Sequence, residues 1–379
     1  MRLSAHRGLT IALLVQVSGA MHAAVRGAGR GVVRARSSLA RSAGPSAVVR
    51  RMSAATDAAA AERAAAVLRR MSAAPDAAAA EPTAAERFAA DAARAALSAQ
   101  FAAHVLYADN HVVAFNKPPG ILSQGDRTGD DSVNELALAW LMETRSTKFG
   151  AVTHRLDRPV SGAMLVACTT KAAQRLSSVH AEGAAKKTYL AAVSTRGQKD
   201  IADEAWLVDA LVPAKDAAQA ARKVKAHRVR ASAEPLSDVD YARLADEAAS
   251  KYGKGTKLAV LHFRVLARRS DGALLQVTLE RTGRRHQIRA QLAAANAPII
   301  GDRKYGHRDS ALDGGRAMAL HAATLDAPHP IKDKGLLRIV APLPNCWRSG
   351  EVDAKLVAAA DAFLAMQGET MLVSPAVPP

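Results

Sequence analysis

His154-Arg155-Leu156-Asp157-Arg158-Pro159-Val160-Ser161-Gly162 sets one carboxylate among three cationic or potentially cationic side chains. Pro, Ser and Gly then force a turn before the apolar run at residues 163–167, which reads as a strand. An opposite charge within a few ångströms favours the ionised form of an Asp, which suits a carboxylate acting as nucleophile or base. The same crowding also describes a structural salt bridge at a loop, with Arg155 or Arg158 as the partner of Asp157. The nine residues leave both readings open.

Upstream, residues 105–108 and 112–115 read as two short strands joined at Asp109-Asn110, and Asn116-Lys117-Pro118-Pro119-Gly120 closes the second, because neither proline can donate to a ladder. Residues 131–142 have helical spacing behind an Asp-Ser cap. Downstream, the pattern predicts a helix over 170–181, a strand over 186–193 carrying Tyr189, and paired strands over 258–266 and 273–279 across Ser270-Asp271-Gly272. Tyr189 taken alone is an ordinary strand aromatic.

Residues 281–292, Arg-Thr-Gly-Arg-Arg-His-Gln-Ile-Arg-Ala-Gln-Leu, open a helix with four arginines and a histidine, while Ile288, Leu292 and Ala293 keep core spacing. A helix N-terminus favours anions and guanidinium groups reinforce it, although a charge run by itself also reads as a solvated basic face. Residues 298–306, then Leu320-His321-Ala322 and His329-Pro330, follow.

These ordered motifs, spanning roughly residues 105–345, resemble the RluA branch of the RNA pseudouridine synthases. That branch reads Lys-Pro-x-Gly at a strand end, His-Arg-Leu-Asp, a variable pair and Ser-Gly at its catalytic loop, then a Lys-x-Tyr strand and Gly-Arg-Thr-His-Gln-Ile/Leu-Arg. Val160 departs from the usual Thr, and Arg285 from the commonest form of the last motif. The resemblance implies an α+β fold: a bent, mixed, mostly antiparallel sheet flanked by helices, with a central active-site cleft.

It also implies that uridines in ribosomal or transfer RNA are isomerised to pseudouridine, with Asp157 catalytic and Arg289 as its guanidinium partner. Tyr189 would lie under the target base, stacking on it and shuttling a proton, with Leu320 as the facing wall. A base leaving its stack costs a few kcal/mol and needs something to fill the hole; by resemblance that is Arg155. Arg284, Arg285 and Lys117 would meet phosphates, and His154 belongs to the substrate-binding set.

The reaction breaks N1–C1′, turns the uracil and rejoins it through C5, so no cofactor and no metal are expected. The sequence carries no Walker loop, dinucleotide fingerprint or metal cluster. Whether Asp157 attacks or accepts a proton is open. A second class, a non-catalytic RNA-binding or ribosome-assembly protein keeping this fold, is opposed by the presence of Asp157, Tyr189 and Arg289 together. A hydrolase using Ser161 is opposed by Pro159, which stands where a nucleophile elbow has Gly.

The 379 residues carry a net charge of +17, which points to a polyanionic partner, most simply RNA. Residues 1–56 hold nine Arg and no Lys, Asp or Glu, leaving +8 for 57–379. That composition is expected of a mitochondrial or plastid transit segment, and the apolar run at 9–17 behind Arg2 and Arg7 allows a bipartite leader. Residues 50–62 recur almost unchanged at 69–81, within an Ala-rich, partly helical low-complexity region over 57–100.

The catalytic domain is expected over 101–350, with an insertion at 213–252 read as a charged loop or an added basic RNA contact, then a helix and tail over 351–379. Cys168 and Cys346 are expected as inert thiols, and no apolar run is long enough to span a bilayer. A monomer is expected.

Overall fold

The computed structural model describes residues 84–126, 130–195, 201–213, 224–280, 283–306 and 312–373. The expected leader, both repeat copies and residues 214–223 of the expected insertion lie outside them. In chain order the elements are α1 (Ala84–Ala102), β1 (Val105–Ala108), β2 (Val112–Lys117), α2 (Val133–Arg145), β3 (Ala151–Val152), β4 (Ser161–Ala167), α3 (Thr170–Ala181), β5 (Lys186–Ser194) and β6 (Glu204–Pro213). There follow β7 (Val224–Ser232), α4 (Asp238–Tyr252), β8 (Lys257–Arg268), β9 (Gly272–Glu280), α5 (Gln287–Ala294), β10 (Leu320–Pro328), β11 (Leu336–Val340), α6 (Ala354–Gln367) and β12 (Met371–Val373).

Among the described residues the strands form one 12-stranded sheet, ordered β1-β2-β4-β10-β5-β9-β8-β6-β7, with β3 beside β4 and β11 joining β10 to β12. Only β4 and β10 run parallel, at Ser161↔His321 and Gly162↔Ala322. The sheet is therefore mixed and mostly antiparallel with helices packed on it, the α+β class that the motifs imply. β4 is buried along its whole length, which is why its sequence is apolar without alternation.

The parallel contact also accounts for the Ser-Gly of the opening stretch. Gly162 takes φ +119°, and a Cβ there would stand 2.3 Å from the Ala322 carbonyl oxygen. The turn ends sooner than the sequence reading has it, at Val160, whose N–H donates to the Asp157 carbonyl at 3.0 Å. Glycine is needed inside the strand because two backbones pass each other there.

α1 crosses the boundary expected at 100/101: Ala90, Ala93 and Phe101 are buried, and the Phe101 ring stacks on Phe115 of β2 at 4.3 Å. α2 starts on a capping box, Ser132 with Glu135, and lays Leu136 and Leu141 into the main core. α6 adds Leu356, Phe363 and Leu364 to that core.

The reading of the 213–252 insertion as a charged loop is corrected over its described residues, which form a strand and a helix. Residues 224–232 are a strand, β7, paired with β6 at the edge of the sheet. A register shift at Val208/Asp209 breaks the alternation that would have marked it, and Lys225, Arg228 and Arg230 suit an edge that must not recruit another strand. α4, behind its Ser237 cap, buries Leu244 and Ala248 against Val208 and Val260.

Candidate active site

The loop before β4 is held from several sides. Ser123 Oγ donates to the Leu156 carbonyl at 2.7 Å and accepts the Leu156 N–H at 3.0 Å. Arg158 Nε donates to the Gly120 carbonyl at 2.9 Å and its Nη1 pairs with Asp130 at 2.7 Å. Beneath the loop, Lys117 Nζ donates to the carbonyls of Pro118, Arg158 and Val160 at 3.0, 3.1 and 2.7 Å.

That placement corrects the expectation that Lys117 meets phosphates. β2 runs through Lys117 and turns its side chain into the core beneath the loop carbonyls, where it is fully buried; the Arg158 carbonyl also accepts the Gly120 N–H at 2.8 Å. Burial pushes its pKa down to about 7, with the Asp157 charge pulling the other way.

Asp157 pairs with neither Arg155 nor Arg158. Its Oδ2 accepts from Nη1 of Arg289, which arrives on α5, at 2.7 Å. The remaining edge of the same guanidinium makes a fork to Asp302, Nε–Oδ2 at 2.8 Å and Nη2–Oδ1 at 2.9 Å. Asp302 is itself fixed by the N–H groups of Lys304 and Tyr305, each at 3.1 Å. Side-chain exposure is 1% for Asp302, 6% for Arg289 and 26% for Asp157, so one guanidinium joins a sealed carboxylate to one that opens outward. Burial works against the charge on Arg289, but the hydrogen bonds and charges of Asp302, and then of Asp157, outweigh it and raise its pKa.

α5 begins at Gln287 and not at the arginines before it. Gln287 accepts the Arg284 N–H at 2.9 Å and donates to the Val260 carbonyl at 3.0 Å. His286, at φ 55°, places Nε2 3.6 Å from Asp157 Oδ2 and Nδ1 3.1 Å from Tyr305 Oη. Burial lowers the His286 pKa to about 4 against the pull of Asp157, so the ring is neutral at neutral pH.

A cleft of roughly 1210 Å³ opens over β10, β5 and β9, the middle of the strand order. Its walls hold His154, Arg155, Asp157, Tyr189, Arg284, Arg285, Arg289 and Leu320, so every candidate but Lys117 meets there. Tyr189 and Leu320 come from neighbouring strands, where Tyr189 faces Ala322, and both are nearly covered. Burial, then the Asp157 charge, raise the Tyr189 phenol, so its hydroxyl is a hydrogen-bond donor at neutral pH. Arg155 and Arg285 are exposed on the rim, whereas Arg284 is half-buried with Nε lacking a partner. His154 is neutral, its pKa driven well down by burial and then by Lys187, and its Nδ1 lies 3.4 Å from Thr153 Oγ1.

His286, Asp302, Ser123 and Lys187 were not among the candidates. His286 stands three residues before Arg289 in the arginine-rich stretch, a helical spacing that could have flagged it. Asp302 has no such signal, since its link to Arg289 exists only in the folded chain.

Fold and site together define a cleft with arginines on its rim, built around one anchored carboxylate. Residues 111–294 match the family model for RNA pseudouridylate synthase. The chain is 30% identical over 253 residues to ribosomal large subunit pseudouridine synthase D of Xylella fastidiosa, covering 64% of this chain and 66% of that one. It is 28% identical over 219 residues to ribosomal large subunit pseudouridine synthase C of Rickettsia bellii, covering 58% and 62%. With tRNA pseudouridine synthase C of Salmonella typhi it shares 30% identity over 261 residues, 64% of this chain and 86% of that one. The solved structure of human RNA pseudouridylate synthase domain containing 4 is 19% identical, with a TM-score of 0.49 over 72% of this chain and 97% of that one. The chain spans slightly less than two thirds of the two ribosomal relatives. It belongs to the RNA pseudouridylate synthase family, in its RluA branch.

Proposed function

We propose that this chain isomerises specific uridines of ribosomal or transfer RNA to pseudouridine, as a monomer without a cofactor, with Asp157 as the catalytic carboxylate. The observation that carries the reading is the 2.7 Å pair between Asp157 and Arg289 on the wall of a cleft large enough for a nucleotide. A carboxylate held by a guanidinium is oriented before substrate arrives, and that geometry suits attack on the nucleoside as well as acceptance of its proton.

In the isomerisation N1–C1′ breaks, the uracil turns in place, C5–C1′ forms, and the hydrogen lost from C5 is balanced by the one gained at N1. Such a turn needs flat, dry walls, which Tyr189 and Leu320 supply from adjacent strands. Arg155, exposed next to the acid, would fill the gap left by the everted base, and Arg284 and Arg285 would lie along the backbone. The acid-free, arginine-rich residues 1–56 support an organellar address, mitochondrion or plastid, which a fluorescent fusion of that segment would read.

The test is Asp157→Asn, followed by pseudouridine mapping in organellar and cytosolic RNA. Loss of defined sites with the fold unchanged is the expected result. Loss of none would favour the assembly role.

A further inference from the structure

Among the described residues Lys187, a cation on the cleft wall, has no carboxylate partner. Lys187 lies on β5 two residues before Tyr189 and lines the same cleft. Its surroundings are neutral: Thr153 Oγ1 is 3.4 Å from His154 Nδ1 and 3.3 Å from His180 Nε2, and the two imidazoles sit 4.4 Å apart. Burial and then the Lys187 charge hold both rings neutral, His180 at about 3.

Among the described residues no carboxylate pairs with Lys187, and burial lowers its pKa to about 8 with nothing drawing it back up. A largely desolvated ammonium without a partner is unfavourable until an anion reaches it. Of the cations that hold the loop, Arg289 is engaged by Asp157 and Asp302, Arg158 by Asp130, and Lys117 by carbonyls in the core, while Arg155 and Arg285 stand exposed on the rim.

The anion that every RNA brings is its backbone phosphate. Residues i and i+2 of a strand stand about 6.6 Å apart on the same face, so Lys187 and Tyr189 are separated by roughly the span of one nucleotide from base to phosphate. We propose that Lys187, walled by His154 and His180, is the subsite for the phosphate attached to the nucleotide whose base lies against Tyr189. The proposal rests on RNA being the substrate, as argued above, and not on the isomerisation step.

The test uses the full chain and a fluorescent single-stranded RNA pentamer with one central uridine between adenosines. A second pentamer carries neutral methylphosphonates on both sides of the uridine. Lys187→Met is expected to weaken binding of the natural RNA about tenfold, the scale of one charge-assisted hydrogen bond. The same variant should make the salt slope shallower by about 0.7, the single-strand value for one phosphate. Binding of the methylphosphonate RNA should hardly change, and Lys187→Arg should restore binding of the natural one.

Unchanged affinity in Lys187→Met, equal weakening towards both pentamers, or no binding of either by the wild type would each overturn the subsite. Should Lys187→Met not fold, acetylation of the wild type decides. The natural RNA must shield Lys187 more than the methylphosphonate RNA does, and equal labelling overturns the proposal. The two readings fail separately: Asp157→Asn bears on pseudouridine formation, and the pentamers bear on binding alone.

Discussion

Two buried cations hold the same loop with different partners. Arg289 faces two carboxylates and holds the side chain of Asp157; Lys117 faces three carbonyls and holds the backbone on either side of Pro159. The ion pairs keep Arg289 charged, whereas among the described residues no carboxylate bonds Lys117, and burial takes its pKa to about 7. Aim and shape are therefore set by separate devices, one electrostatic and one made of neutral acceptors. If so, they can be broken one at a time.

The largest effect is expected at the charged device. Arg289→Met leaves Asp302 buried with its main partner gone, a loss of about 3–5 kcal/mol. It also frees the acid that the proposed chemistry needs, so pseudouridine formation should fall on the order of 10²–10³-fold. Urea unfolding and the rate of pseudouridine formation check the two halves. Near-normal activity would break the comparison, because Asp157 would then be held in place by its loop alone.

Gly162→Ala should come next, since the new methyl meets the Ala322 backbone in a left-handed conformation. About 2–4 kcal/mol of stability should be lost, read by thermal melting.

Lys117→Met is smaller. Three carbonyls lose the ammonium, with that of Arg158 keeping another donor, the Gly120 N–H, at about 1–3 kcal/mol, while the salt dependence of RNA binding stays as in the wild type, because the ammonium never meets a phosphate. Its pH dependence sharpens the contrast with Arg289. A folded pKa near 7 lies below the ordinary value of 10.5, so between those limits the unfolded chain binds more protons at this site. The stability that Lys117 contributes is therefore lowest below pH 7 and rises as pH climbs towards 10.5. Unfolding measured at about pH 6 and about pH 9.5 should show the variant losing more, relative to wild type, at the higher pH.

How much of this was legible depends on where each residue finds its partners. The pairing of Asp157 with Arg289, 132 residues apart, came from family resemblance, because the local charge by itself leaves a loop salt bridge with Arg155 or Arg158 and a solvated basic face equally open. β2, α3, β5, β8 and β9 followed from alternation and caps, which are local properties of the chain. Lys117 misled because a lysine beside Pro-Pro-Gly reads as surface, and its acceptors come from residues 158 and 160, across the strand. β7 was hidden by a bulge, and Asp302 by having its role assigned only through Arg289. The sandwich of Tyr189 and Leu320 came from family resemblance, since a strand aromatic and a leucine carry no chemical signal of their own.

The smallest effect asks whether the restraints are independent. Ser132 caps α2, and its neighbour Val133 donates from its N–H to the Leu122 carbonyl, one residue before the Ser123 that grips Leu156. Ser132→Ala should cost about 1 kcal/mol, the ordinary worth of an N-cap, visible as a lower urea midpoint. If each grip on the loop acts alone, pseudouridine formation stays within about twofold, because Ser123, Lys117 and Arg289 keep their partners and distant sites add independently. If the rate falls well beyond twofold, towards that of Arg289→Met, the cap, the Ser123 contact and the loop form one cooperative unit, and the division between aim and shape holds only near Arg289.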